Sequence, residues 1–192
     1  MRPPGATARR RSAPEGNVEV FVADEQDAQP VDVARWSRLA EQVLRAEGVR
    51  GESELSVLFV AESAIAELNQ RFLGGSGSTD VLAFPLEEDL LEVGNRPDPA
   101  TTGPDRDLFD PAEAPLLLGD VVICPAVAAV NAPDHSGTYE DEIALLVVHG
   151  ILHVLGHDHG EDDDRGRMQA RERELVMRFH GELAADPWAV QP

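Results

Sequence analysis

Residues 149–159 read His149-Gly150-Ile151-Leu152-His153-Val154-Leu155-Gly156-His157-Asp158-His159. They close the most apolar stretch of the chain, residues 139–156. There Ile143, Leu146, Val147, Ile151 and Val154 recur at helical spacing, and Leu145, Val148, Leu152 and Leu155 fill much of the remaining circumference. A helix that is apolar nearly all round is a buried one. His149 and His153 are four residues apart on it, so their imidazoles share a face about one turn apart. Gly156 ends the helix and lets the chain turn, which can bring His159 back over the helix end as a third ligand. Three neutral imidazoles with a fourth position open are the donor set of a catalytic zinc site, with one ion per chain. Imidazole also suits nickel, copper or iron, but without redox partners zinc is the simplest choice. A histidine on a core helix is more often a hydrogen-bonded core residue. Three at these spacings, out of six in the chain, favour the metal.

The elements around this helix mix without strict alternation, which indicates an α+β fold. Strands are expected at Val18–Val22, Leu55–Ala61, Val81–Phe84 and Leu116–Ile123, from alternation or short apolar runs. Helices are expected over residues 31–47, 63–73 and 163–180, with a helical turn or short helix at 125–131. Residues 1–16 lack periodicity and are read as a disordered tail. Residues 17–184 form a single domain, and 185–192 a C-terminal tail. Residues 86–115 carry five prolines among many acids and are read as a long irregular insertion.

Charge limits the function classes. The chain has 192 residues, 16 arginines, no lysine and 36 acids, for a net charge of −20. Such a balance disfavours general adhesion to nucleic acid or anionic lipid. Residues 1–16 and the arginines of the last helix are the basic clusters. A single cysteine, Cys124, excludes an intrachain disulfide framework and is read as an inert core residue. No apolar run is long enough to span a membrane, and Arg9-Arg10-Arg11 is not followed by an apolar segment, so a cytoplasmic location is expected.

The histidine spacing is similar to that of the metzincin peptidases, HExxHxxGxxH. Their general base is the Glu after the first His, and here that position is Gly150, so a zinc peptidase keeps its metal and loses its base. A closer match exists. His149-Gly150-x-Leu152-His153-x-Leu155-Gly156-x-Asp158-His159 resembles the HGxLHLxGYDH signature of the YbeY family of bacterial metal-dependent endoribonucleases. Thr79-Asp80-Val81-Leu82-Ala83-Phe84-Pro85 resembles its TDVLSFP motif, with Leu68-Asn69 upstream, and Leu118-Gly119-Asp120-Val121-Val122-Ile123 resembles its LGDIVIS strand. Met168 and Glu172 fit its last helix. The likeness runs from about residue 18 to 180.

This resemblance implies a mixed, mostly parallel four-stranded sheet with one antiparallel strand, flanked by helices, one of them a zincin-like metal-binding helix. It implies zinc on His149, His153 and His159, with His149 part of the catalytic centre. The implied activity is cleavage of single-stranded RNA in 16S rRNA 3′-end maturation and ribosome quality control. The implied partners are ribosomal RNA, the small ribosomal subunit, a ribosomal protein and an assembly GTPase. Two positions depart from the family pattern. Alignment on Thr79 puts Leu73 where the family often has an Arg, with Arg71 two residues earlier, and His157 replaces the Tyr of GYDH.

Further candidates come from residue type. Asp80 either positions a water or ligand imidazole or caps a turn, and His157 is either a spare base or an exposed loop residue. Arg165, Arg167 and Arg171 either bind substrate phosphate or pair with the acids around them. Asp120, a carboxylate in an apolar strand, either supports the ligands or makes a structural hydrogen bond. Glu142 is expected to cap its helix, face solvent or reach the cleft mouth; His135 is expected in a loop, and His180 at a helix end. A zinc-binding assembly factor with weak catalysis is the alternative to the nuclease.

Overall fold

Ser53 to Val60 alternates so that Leu55, Val57 and Phe59 project to one side, and all three are fully buried. This strand is central. In the computed structural model, which describes residues 17–86, 115–157 and 162–189, the elements follow in order. They are β1 (Val18–Glu25), α1 (Val33–Ala46), β2 (Ser53–Val60), α2 (Glu62–Leu68), β3 (Val81–Pro85), β4 (Leu116–Ile123), α3 (Pro125–Asn131), α4 (Tyr139–Val154) and α5 (Asp162–Phe179). The tail 1–16, nearly all of the 86–115 insertion, Asp158 and His159 lie outside the described residues.

The sheet order is β1-β2-β4-β3. β1, β2 and β4 are parallel, and β3 runs antiparallel to β4, with Val81 opposite Ile123. The mixed sheet expected from the resemblance is therefore present. α1, α4 and α5 pack with Leu55, Val57, Phe59, Val121 and Ile123 into the main core. The other face carries a smaller cluster of Val60, Ile65, Leu82, Val122 and Cys124 under α2. By strand alternation Asp120 shares this second face with Val122, away from α4. A role for Asp120 in supporting the histidines therefore falls.

Local departures from the sequence reading have physical causes. β1 continues to Glu25, past the alternating run, because its pairing with β2 extends to Glu25 opposite Val60. The helix expected over 63–73 stays regular only to Leu68, then widens into a π-helical turn, Asn69–Leu73, closed by Gly74 at φ 67°. The ladder between β2 and β4 shifts register between Glu54 and Leu55, opposite Leu117 and Gly119. Gly119 has φ 144°, and a Cβ there would overlap the Phe84 carbonyl oxygen, so only glycine passes.

α4 is the helix on which the site is built. Thr138 caps it by accepting the Asp141 N–H at 3.2 Å, and Glu140, Asp141 and Glu142 fill its first turn. Asp141 is itself fixed from three sides. Its carboxylate accepts His180 Nε2–H at 2.8 Å and the Ala184 N–H at 3.1 Å. His180 is thus tied to α4 and stacked on Trp36, not merely placed at a helix end.

Candidate functional site

Glu142, Leu145, Leu146 and His149 follow one another along one side of α4, and the last three line a cavity of about 400 Å³. Asp80, His135, Arg165, Glu172 and Trp188 complete the walls that bear on its chemistry.

His149 Nδ1 lies 2.8 Å from Glu172 Oε1. A carboxylate only accepts, so Nδ1 carries the proton and Nε2 keeps its lone pair for a ligand. Glu172 is held in turn, because the Trp188 indole N–H donates to its Oε2 at 2.6 Å. His153 stands beside His149 with ring centroids 4.6 Å apart and planes inclined by 72°. The structure thus brings two of the three expected ligands together, and the third, His159, lies outside the described residues. Two adjacent imidazoles, one of them oriented by a buried carboxylate, form a donor set that fits a divalent transition metal.

Gly150 explains why no acid follows the first histidine. Its position faces the sheet, and a Cβ there would overlap Val121 Cγ1. A glutamate side chain at this position runs into β4, so the peptidase arrangement has no room here.

Asp80 lines the cavity and is fixed at the start of β3. Its Oδ1 accepts the Val81 N–H at 2.9 Å, and its Oδ2 accepts Asn131 Nδ2–H at 3.2 Å. The three arginines separate. Arg165 lines the cavity. Arg167 is ion-paired with Asp164. Arg171 donates to Glu174 and Glu47, each at 2.6 Å, and to the Ala46 carbonyl, and its hydrogen bonds to Glu174 and Glu47 raise its pKa further above its ordinary value. His157 turns the same way, with Nε2 at 3.3 Å from Glu47 Oε2, and is not among the residues around the cavity. Glu47 at the end of α1 therefore draws two of the candidates away from the cavity.

Four residues that matter here escape a reading of the sequence for function. Glu172 is recognisable there only as part of the last helix, Trp188 falls in the expected tail, His135 is expected only in a loop, and Glu142 only as a cap, a solvent-facing acid or one reaching the cleft mouth. Glu142 is fully buried, neither capping nor solvent-facing as expected. A signal exists for both acids: each is a charged residue on an apolar stripe, Glu172 with Met168, Leu175 and Val176, and Glu142 with Leu146 and His149.

The sequence profile of the family described as Endoribonuclease YbeY matches residues 21–180. The chain belongs to this family. An Endoribonuclease YbeY from Thermobifida fusca is 42% identical over 166 residues, covering 86% of this chain and 97% of its own length. One from Salinispora tropica is 40% identical over 162 residues, covering 84% of this chain and 96% of its own. The solution structure of TM1509 from Thermotoga maritima superposes with a TM-score of 0.51 at 27% identity, over 85% of this chain and 90% of that one. Like its YbeY relatives the protein is an endoribonuclease, a hydrolase acting on RNA. The YbeY match includes every cavity residue named above except Trp188, which lies beyond its last residue.

Proposed function

We propose that the protein is a zinc-dependent endoribonuclease that cuts single-stranded RNA in the maturation of the 16S rRNA 3′ end and in ribosome quality control. The observation that carries this reading is the His149–Glu172 hydrogen bond beside His153, at a cavity that also holds a guanidinium, Arg165. His149, His153 and His159 would hold the ion, which when bound supplies Lewis acidity toward a phosphodiester oxygen. Glu172 keeps the His149 ring turned so that Nε2 faces the metal position. Arg165 receives phosphate oxygens through its planar fork of N–H donors. Asp80, its carboxylate anchored by Val81 and Asn131, orients a water or a ribose hydroxyl at the cavity rim. The small ribosomal subunit, a ribosomal protein and an assembly GTPase are the proposed partners, in the cytoplasm; no described helix is long and apolar enough to cross a membrane.

A second reading, an assembly factor with weak catalysis, is favoured by position 73. Leu73 is 64% exposed at the end of the π-helical turn, and the cation there is Arg71, stacked over Phe72 at 5.2 Å. Incubation with a single-stranded rRNA precursor and with casein separates the readings. RNA cleavage that disappears in His149→Ala supports the nuclease, and casein cleavage supports a peptidase. Cleavage of neither, with ribosome co-sedimentation intact, supports the assembly factor. Purified protein is expected to carry stoichiometric zinc, and His153→Ala to lose it.

A further inference from the structure

Glu142 is a fully buried carboxylate outside the metal-ligand set. Its Oε2 accepts the Ser136 hydroxyl at 2.5 Å, and His135 Nδ1 lies 3.0 Å from both of its oxygens. Because the carboxylate only accepts, His135 keeps a proton on Nδ1, and its ring is held by one edge. The other edge is open. The His135 side chain is 44% exposed and lines the same cavity as His149 and Arg165, and no described residue hydrogen-bonds to its Nε2. Glu142 precedes His149 by two turns on the same side of α4, a rise of about 10 Å. Both imidazoles line the one cavity.

The loop does not need this pair to stay in place. Gly137 N–H donates to the Ala132 carbonyl at 2.7 Å, and Ala185 N–H donates to the Ser136 carbonyl at 2.9 Å. A Cβ on Gly137 would meet Ala184. The backbone is thus fastened on both sides independently of the imidazole. What the buried carboxylate adds is the orientation of one ring, with one nitrogen held and the other presented to a cavity, which is the arrangement of a general acid–base histidine.

We propose that His135 is a catalytic residue of RNA cleavage, the general acid for the leaving ribose oxygen, and that Glu142 is the residue that positions it. As the nucleophile's oxygen forms its bond to phosphorus, the bond from phosphorus to the leaving oxygen breaks and its electron pair goes to that oxygen. The oxygen takes the proton from Nε2 of the His135 imidazolium. The ring is left neutral, with its remaining proton on Nδ1 toward Glu142. The nucleophile's proton leaves to solvent, and solvent returns one to Nε2.

The inference rests on the cavity being the RNA-cleaving site, and the test separates the two. Full-length, zinc-loaded protein and its His135→Gln and Glu142→Gln variants are assayed on two RNAs. One is normal; in the other the leaving bridging oxygen, identified from the product ends, is replaced by sulfur, whose thiolate departs without a proton. On the normal RNA, His135→Gln is expected to lower kcat by about 10²- to 10⁴-fold with little change in KM. On the sulfur substrate the ratio of wild type to variant is expected to fall close to one. Glu142→Gln shows a smaller loss with the same rescue. Zinc content and Tm of His135→Gln match wild type, since its side chain is half exposed and the loop is fastened elsewhere. Equal defects on both substrates, no defect on the normal RNA, or a loss that tracks lost zinc overturns the role of His135 while leaving the nuclease reading intact. Wild type that cleaves neither RNA overturns the nuclease reading itself, and this role with it.

Discussion

At Glu172 one carboxylate has two acceptor oxygens and two donors, the His149 imidazole and the Trp188 indole. Each donor fixes the other's position through the same rigid group. Replacing Glu172 with Gln puts an amide opposite Nδ1–H and Nε1–H, and is expected to lower zinc affinity by about 10- to 100-fold in a competition titration with a chelator. Trp188→Phe keeps the ring packing but strips the N–H from Oε2. Its expected cost is about 1–3 kcal/mol in urea denaturation, with a smaller loss of zinc affinity than Glu172→Gln because His149 keeps its partner. A Trp188→Phe protein that binds zinc as weakly as Glu172→Gln would mean that the indole N–H, not the carboxylate alone, sets the orientation of His149. Gly150 is a packing constraint of the opposite kind. Gly150→Glu restores the peptidase pattern on paper, but drives a charged side chain into Val121 and the sheet. The expected result is a protein destabilised by more than about 4 kcal/mol, with no peptidase activity on casein.

α4 holds its place through its first turn as much as through its apolar body. Burial alone pushes the Asp141 carboxyl up, but hydrogen bonds from His180, Thr138 and Ala184 outweigh it and hold the group below its ordinary value. A carboxyl lowered by folding adds stability above its unfolded pKa and loses it as pH falls through the folded one. The contribution is therefore complete at neutral pH and is lost progressively in acid, as pH falls below the ordinary carboxyl range. Asp141→Asn is expected to be less stable than wild type by about 1–3 kcal/mol at neutral pH, with the two urea midpoints converging in acid. A constant gap across that range would mean that packing, not charge, sets the difference. Periodicity made α4 readable, since its apolar residues recur within one segment, and two histidines four apart announce their common face. The same logic gave β4 its full span, Leu116–Ile123. Periodicity is silent on contacts between distant segments. That His149 meets Glu172, that His180 meets Asp141, and that Glu47 captures both His157 and Arg171 are consequences of how α1, α4 and α5 pack. The π-helical widening at Asn69–Leu73 likewise has no periodic signature, because its residues still read as helix.

For the whole molecule, the net charge of −20 conflicts at first sight with an RNA substrate. The geometry narrows that conflict to a few groups. Arg171 and Arg167 are engaged by neighbouring carboxylates, which leaves Arg165 as the guanidinium lining the cavity. Residues 1–16 add four more arginines in sequence. Affinity that comes from neutralised phosphates shows itself in salt: for single strands, log K falls with log salt by about 0.7 per phosphate contacted. A chain lacking residues 1–16 is therefore expected to bind a single-stranded RNA with a slope no steeper than about −2, far shallower than a basic nuclease. Arg165→Ala should flatten that slope by about 0.7, and Arg171→Ala should leave it unchanged because its charge is already spent on Glu47 and Glu174. Filter binding over a range of potassium chloride concentrations measures both. A slope steeper than about −4 in the shortened chain would require a basic surface that the described residues do not supply. A shallow slope means that long-range attraction contributes little, and that the protein finds RNA through contacts made at the cavity or through a partner that brings the strand to it.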